Sequence, residues 1–333
     1  MKVAVLAPVA WRTPPRHYGP WEQVASNIAE GLVASGFEVT LFATGDSITS
    51  GTLDAVVEQG YEEDRSQDAK VIECLHISNL MEKASSFDII HNNFDFLPLS
   101  FSKLIKTPVI TTIHGFSSER IVPVYKKYND NGYYVSISDA NRHPDLNYLG
   151  TVYNGLDISN FTFNGSPQDY LLFFGRIHPD KGAAEAVEIA ERSGRKLIIA
   201  GIIQDENYFK NHVEPRLTDQ IQFIGSAGPE KREELLRNAA ALLHPINFAE
   251  PFGMSVAEAM LCGTPVIAFN KGSMPELIKD GETGFLVNDS IEAVEAVNKL
   301  PNIDRSACRK WAASKFSKEK MVADYISLYH QIV

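Results

Sequence analysis

The sequence predicts an α/β protein built as two doubly wound, Rossmann-like halves that face each other across a cleft. Three observations carry this. Short apolar runs alternate with amphipathic, helix-length segments along the whole chain. The alternation starts afresh after a turn-rich stretch, Val152-Tyr-Asn-Gly-Leu-Asp157. A length of 333 residues exceeds one average domain and suggests two.

The first half opens with a strand at 2–7, continues through an amphipathic helix at 21–35 that Gly36 closes, and returns to a strand at 38–44. Further short apolar runs lie at 88–91, 108–113 and 133–137. In the second half the strand pattern falls at 170–174, 196–200, 221–224, 240–244 and 266–269, separated by helices at 183–192, 230–239 and 253–261. Segments 304–314 and 318–332 read as closing helices. Nothing recurs at a fixed short period, which argues against a solenoid.

Composition narrows the function classes. A net charge of −11 argues against nucleic acid and anionic membrane surfaces as partners. Cys74, Cys262 and Cys308 form no Cys-x-x-Cys pair and read as reduced thiols of a cytoplasmic protein. The opening apolar run, residues 1–8, is too short for a signal peptide, and no run approaches the length of an integral membrane segment.

Stretch 248–268 organises the chemistry. An apolar strand feeds a loop carrying Glu250, Pro251 opens a short helix, and Gly263-Thr-Pro265 stops it before another strand. Loop and first helical turn lie at the carboxyl edge of the sheet, where open α/β folds place ligands. The unpaired N–H groups of Gly253, Met254 and Ser255 form an anion seat, flanked by the carboxylates of Glu250 and Glu258. A nucleotide-sugar suits both features: its diphosphate takes the helix N-terminus, and its hydroxyls donate to the carboxylates. In Phe174-Gly-Arg-Ile-His-Pro-Asp-Lys-Gly182, Arg176 offers a two-pronged phosphate grip and Lys181 a mobile point charge. Gly175 lets that loop approach a ligand. Taken alone, each of these residues is also at home as a helix-start acid or a solvated loop charge.

The pattern Glu-x7-Glu followed by Ala-Met-x-Cys-Gly-Thr-Pro-Val-Ile resembles the signature of glycosyltransferase family 4, retaining enzymes of the GT-B fold. Gly-Arg-x-x-x-x-Lys-Gly, Thr-x-His-Gly at 112–115 and Val-x-Asn-Gly-x-Asp at 152–157 are similar to elements of the same family. The opening Pro-Pro-x-x-Tyr-Gly resembles a bacterial subgroup in which some members are labelled pterin glucosyltransferases. The resemblance implies an acceptor-side domain at 1–153, with the helix at 318–333 packing back on it, and a nucleotide-sugar-binding domain at 154–317. It implies donor contacts at Gly19, Arg176, Lys181, Glu250, Phe252, Gly253, Met254, Ser255 and Glu258. His114, Arg176, Lys181 and Glu250 would carry catalysis, with His114 facing the donor sugar.

The loop from Pro8 to Glu22 joins flat apolar faces (Trp11, Tyr18, Trp21) to donors (Arg12, Arg16, His17), which suits a sugar-like or planar acceptor or, structurally, aromatics packing a hinge. Trp11, Arg16, Tyr18 and His91 are the acceptor-side candidates, and His91 reads equally well as a packed residue. Relatives often carry Gly-Gly where this chain has Gly19-Pro20, and proline offers no N–H.

The expected reaction moves a sugar, with retention, from a nucleoside-diphosphate sugar to a hydroxyl of a small-molecule or saccharide acceptor. A UDP-sugar is favoured, UDP-glucose among them, and a GDP-sugar is the alternative. No cofactor beyond the donor and no metal are expected, since neither Asp-x-Asp nor His-Glu-x-x-His occurs. A sugar-nucleotide epimerase, a phosphorylase or a non-catalytic nucleotide-sugar-binding protein would share the architecture. A Rossmann dehydrogenase fits less well, because no Gly-x-Gly-x-x-Gly follows the first strand.

Overall fold

Strands that are apolar on both faces need cover on both faces, and helices supply it in each half of this chain. The computed structural model describes residues 1–17 and 19–333. They divide into two units, Met1–Gly155 with Lys318–Val333, and Leu156–Ser317.

The first unit is a seven-stranded, wholly parallel sheet of β1 (Lys2–Leu6), β2 (Glu38–Phe42), β3 (Thr52–Asp54), β4 (Ile89–Asn92), β5 (Val109–Ile113), β6 (Tyr133–Ser136) and β7 (Tyr148–Thr151). Their order is β3-β2-β1-β4-β5-β6-β7. Alternation along β1 sorts the core. Val3 and Val5 pack with Ile28 and Leu32 of helix Pro20–Ala34 and with Val322 and Tyr325 of helix Lys318–Ile332. Ala4 and Leu6 face the other way, toward Ile77 and Leu80 of helix Ala69–Glu82. Asp68 caps that last helix, accepting from the N–H groups of Lys70 and Val71. The closing helix sits directly on the opening one. A Cβ on Gly31 would lie 2.3 Å from Cγ2 of Val322.

The second unit is a six-stranded parallel sheet of β8 (Tyr170–Phe174), β9 (Lys196–Ala200), β10 (Ile221–Phe223), β11 (Ala241–His244), β12 (Val266–Phe269) and β13 (Gly284–Val287). The order is β10-β9-β8-β11-β12-β13. Leu171 and Phe173 pack against Ala186, Val187 and Ala190 of helix Ala183–Ser193 and Ala293 and Val297 of helix Ser290–Lys299. The unit closes where the Leu156 N–H donates to the Phe316 carbonyl at 2.8 Å.

In both units the strand order reverses beside the first strand, between β1 and β4 and between β8 and β11. At such a switch point the adjoining loops diverge and leave a crevice at the carboxyl ends. No helix among the described residues is long and apolar enough to cross a membrane.

Gly31→Ala is expected to lower stability by about 1–3 kcal/mol through overpacking against Val322, while Gly165→Ala, with its new Cβ no closer than 3.6 Å to the Phe163 ring, stays within about 0.5 kcal/mol. Denaturant unfolding of both variants measures the contrast.

Candidate functional site

The switch point of the second unit is built by the loops that follow β8 and β11. Lys181 comes from the first and Glu250 from the second, and the ammonium donates to Oε2 of the carboxylate. The side chains are only 15% and 14% exposed, so water does little to screen the pair. Lys181 Nζ also stands 4.6 Å from the centroid of the Phe248 ring. His244, the last residue of β11, places Nε2 3.8 Å from the same carboxylate oxygen. It has no hydrogen-bond partner at that nitrogen. Burial first, and then the neighbouring Lys181 charge, pull its pKa down to about 3, so the ring is neutral.

Two glycines let neighbouring loops pack closely here, Gly182 of the β8 loop and Gly272 of the loop after β12. A Cβ on Gly182, whose φ is +75°, would sit 1.9 Å from the Pro245 carbonyl oxygen. One on Gly272 (φ +56°) would sit 2.4 Å from the Glu250 nitrogen. Beside Gly272, the Ser273 N–H donates to the Glu250 carbonyl at 3.0 Å, and its hydroxyl donates to the Phe252 carbonyl at 2.7 Å. Glu250 is thus held by its backbone as well as by its ion pair.

Helix Met254–Leu261 starts from Gly253, left-handed at φ +92°. Its first rung runs from the Val256 N–H to the Gly253 carbonyl at 3.0 Å. The N–H groups of Gly253, Met254 and Ser255 therefore precede the ladder. Glu258, 4% exposed, pairs with Arg232 of helix Pro229–Asn238 at 3.4 Å. Burial raises its pKa and Arg232 partly offsets this. Arg176, half-buried at the end of β8, donates to Oε1 of Gln204 in the loop after β9.

Phe252, expected among the donor contacts, turns its side chain inward. Its ring is 2% exposed and meets Phe316 edge-on at 5.6 Å, which leaves only its backbone at the loop. His244, Gln204, Arg232, Gly272 and Ser273 were not expected. The strand run ending in His244 pointed to the first, whereas the others depend on chain crossings that no local pattern encodes.

In the first unit, His114 follows β5 and is 7% exposed. It stacks on Trp21 with centroids 5.5 Å apart and planes 23° apart. Nε2 meets Asn93 Oδ1 at 3.1 Å, while Nδ1 has no hydrogen-bond partner. Burial lowers its pKa to about 3. Gly19, at φ +150°, precedes helix Pro20–Ala34, and a Cβ there would lie 2.9 Å from Glu22 Oε2. Trp11 and Trp21 line one cavity with Gly19. Tyr18 lies outside the described residues.

Two acceptor-side expectations are corrected. Arg16 spends both terminal nitrogens on its own unit, on Glu63 at 2.7 Å and Asp46 at 2.9 Å. His91 is not exposed at all. Its Nδ1 meets the Tyr329 hydroxyl at 2.7 Å and its Nε2 the Thr112 hydroxyl at 2.8 Å, so both ring nitrogens serve packing of the closing helix.

Residues 158–315, nearly the whole of the second unit, match the family model described as Glycosyl transferases group 1. An uncharacterized 41.2 kDa protein from the cps region of Klebsiella pneumoniae is 32% identical over 168 residues, 48% of this chain and 45% of its own length. An uncharacterized glycosyltransferase of Methanocaldococcus jannaschii is 23% identical over 335 residues, 86% of this chain and 85% of its own length. The chain thus spans less than half of the first relative and most of the second. A crystal structure of Anabaena HepE in complex with UDP and glucose has a TM-score of 0.74 at 19% identity, covering 98% of both chains. The fold is accordingly that of the GT-B glycosyltransferases, with two parallel-sheet Rossmann-like units.

A pH test follows from His91. Burial, and next the His114 ring, hold its pKa down at about 3, whereas an unfolded histidine titrates near 6.5. A depressed folded value stabilises above the unfolded pKa and loses that stability as pH falls toward 3, amounting to about 2 kcal/mol by pH 5. The stability advantage of the wild type over His91→Gln should therefore shrink by about 2 kcal/mol between pH 7 and pH 5. Urea unfolding at the two pH values reads this directly.

Proposed function

We propose that the chain is a retaining glycosyltransferase of family 4 type, moving a sugar from a nucleoside-diphosphate sugar to a hydroxyl of a small-molecule or saccharide acceptor. A UDP-sugar is favoured, with UDP-glucose the first donor to try and GDP-sugars next. The observation that carries the reading is the Lys181–Glu250 ion pair at the switch point, next to a helix whose first N–H groups precede its hydrogen-bond ladder. HepE, of the same fold, binds UDP and glucose.

In the reaction the bond from the anomeric carbon to the β-phosphate oxygen breaks, and a bond to the acceptor oxygen forms. The acceptor proton passes to the leaving phosphate. Negative charge collects on that phosphate, and the amides of residues 253–255, with Lys181 and Arg176, stand prepared to receive it. Lys181 and Arg176 now hold Glu250 and Gln204. Diphosphate binding exchanges these partners, freeing Glu250 for sugar hydroxyls. Glu258 takes the ribose, and the unpartnered Nδ1 of His114 is a position for a hydroxyl of the sugar. With amides and two cations meeting the charge, the reaction proceeds without a metal. Support for a cytoplasmic setting comes from the three free thiols. The resemblance of residues 14–19 to proteins labelled pterin glucosyltransferases belongs to this reading as well.

Calorimetry with UDP-, GDP- and ADP-sugars should show one nucleotide series bound in preference to the others, and loss of all three would remove the reading. Arg176→Ala should lower the transfer rate by about two to three orders of magnitude, corresponding to roughly 2–4 kcal/mol of transition-state stabilisation. A loss smaller than about threefold takes Arg176 out of this role.

A further inference from the structure

At the switch point of the first unit, between the loops that follow β1 and β4, lies a cavity of about 460 Å³. Its walls include Trp11, Trp21 and Phe94, and three carboxyls line it: Glu22, Glu73 and Asp95. The described lining includes no lysine, arginine or histidine. Glu22 is 3% exposed. Its carboxylate accepts from the backbone N–H groups of Glu22 and Trp11, and its one charged neighbour of note is another acid, Glu63. Glu73 accepts from the Tyr61 hydroxyl at 3.2 Å, and Asp95 from the Tyr125 hydroxyl. Hydroxyls and amides supply these three carboxyls with hydrogen bonds but with no full positive charge. The cost shows in burial pushing Glu22 up to about 7 and Asp95 up to about 6. Asp95 is also the single non-glycine residue of positive φ, +102°, among the described residues.

Aromatic faces surrounding uncompensated carboxylates are the chemistry that recognises an organic ammonium: ring quadrupoles attract the charge and carboxylates take its N–H bonds. A neutral polyol would offer these acids hydrogen bonds but no positive charge. We propose that this cavity binds an ammonium-bearing molecule, and that the acceptor of the reaction proposed above therefore carries a protonated amine besides the hydroxyl that receives the sugar. The acceptor assignment rests on the transferase reading; the ammonium preference of the cavity does not. The stacking of the wall residue Trp21 on His114, whose Nδ1 has no partner, joins the cavity to a second group able to take a ligand hydroxyl.

The test is calorimetry and tryptophan fluorescence on the full chain at pH 8 with two matched pairs, benzylamine against benzyl alcohol and 4-aminocyclohexanol against cyclohexane-1,4-diol. Each amine should bind about tenfold or more tightly than its neutral partner and should perturb the tryptophan emission. Glu22→Gln, Glu73→Gln and Asp95→Asn should each weaken the amine severalfold and leave the neutral partner unchanged. Where a variant fails to fold, the wild-type pairs decide. Equal affinity within the pairs, or no amine binding by a sample that binds a nucleotide-sugar, overturns the inference alone. Amine preference in a sample that binds no nucleotide-sugar supports the ammonium site and removes the transferase reading.

Discussion

The Lys181–Glu250 ion pair depends on backbone meeting backbone. An ordinary residue at 182 would drive a Cβ into the Pro245 carbonyl, and one at 272 would drive a Cβ into the main chain of Glu250 itself. Once closed, the pair sits largely out of water. Removing either partner there leaves an uncompensated charge, which typically costs 3–5 kcal/mol, whereas the intact pair adds little net stability. It is thus weak evidence for a stabilising device and better understood as a latch. Each charge keeps the other in place.

The parts of this arrangement that local pattern controls were legible in the sequence. Strands with four or five buried apolar residues announced themselves, as did the glycine at 253 and the cations at 176 and 181. Three of the four edge strands did not. Thr52–Asp54 and Tyr148–Thr151 contain no fully buried residue, and Gly284–Val287 begins with a glycine whose lack of Cβ admits the Val266 carbonyl. Each is a strand because a neighbour offers a ladder, a fact of tertiary structure. Helix Ala69–Glu82 was missed for the opposite reason. Its apolar residues are spread around the barrel of the helix, with Val71 and Leu75 exposed, so periodicity was faint although Asp68 marked its start.

Side-chain roles failed where the question was what lies behind a residue. His91 lies near the end of β4 and His114 just past β5 in the same sheet, and only the Thr-x-His-Gly resemblance set them apart in the sequence. The structure separates them by neighbours 200 residues away. Tyr325 and Tyr329 of the closing helix cover His91, and the Thr112 hydroxyl links it to Tyr325 at 2.8 Å. His114 meets Trp21 and Asn93 instead and keeps one nitrogen unengaged. Arg16 similarly looked like a ligand donor because Asp46 and Glu63 stand 30 and 47 positions off.

Both units use the same topological opening and fill it with opposite chemistry. In the second unit the crevice holds Lys181, Arg176 and helix N–H groups beside the carboxylates of Glu250 and Glu258. In the first, the crevice holds carboxyls and aromatic rings with no cation among its described lining, a field that repels a diphosphate. Parallel sheets fix where a ligand can sit, at the reversal of strand order, and are silent about its charge. That choice lies in a handful of loop residues: Arg176 and Lys181 after one strand, Trp11, Glu22 and Asp95 near the ends of two others. A net charge of −11 therefore does not describe this protein's binding properties. The cations of the second unit's crevice are a local feature that this total conceals, and so are the carboxyls gathered along the first unit's cavity.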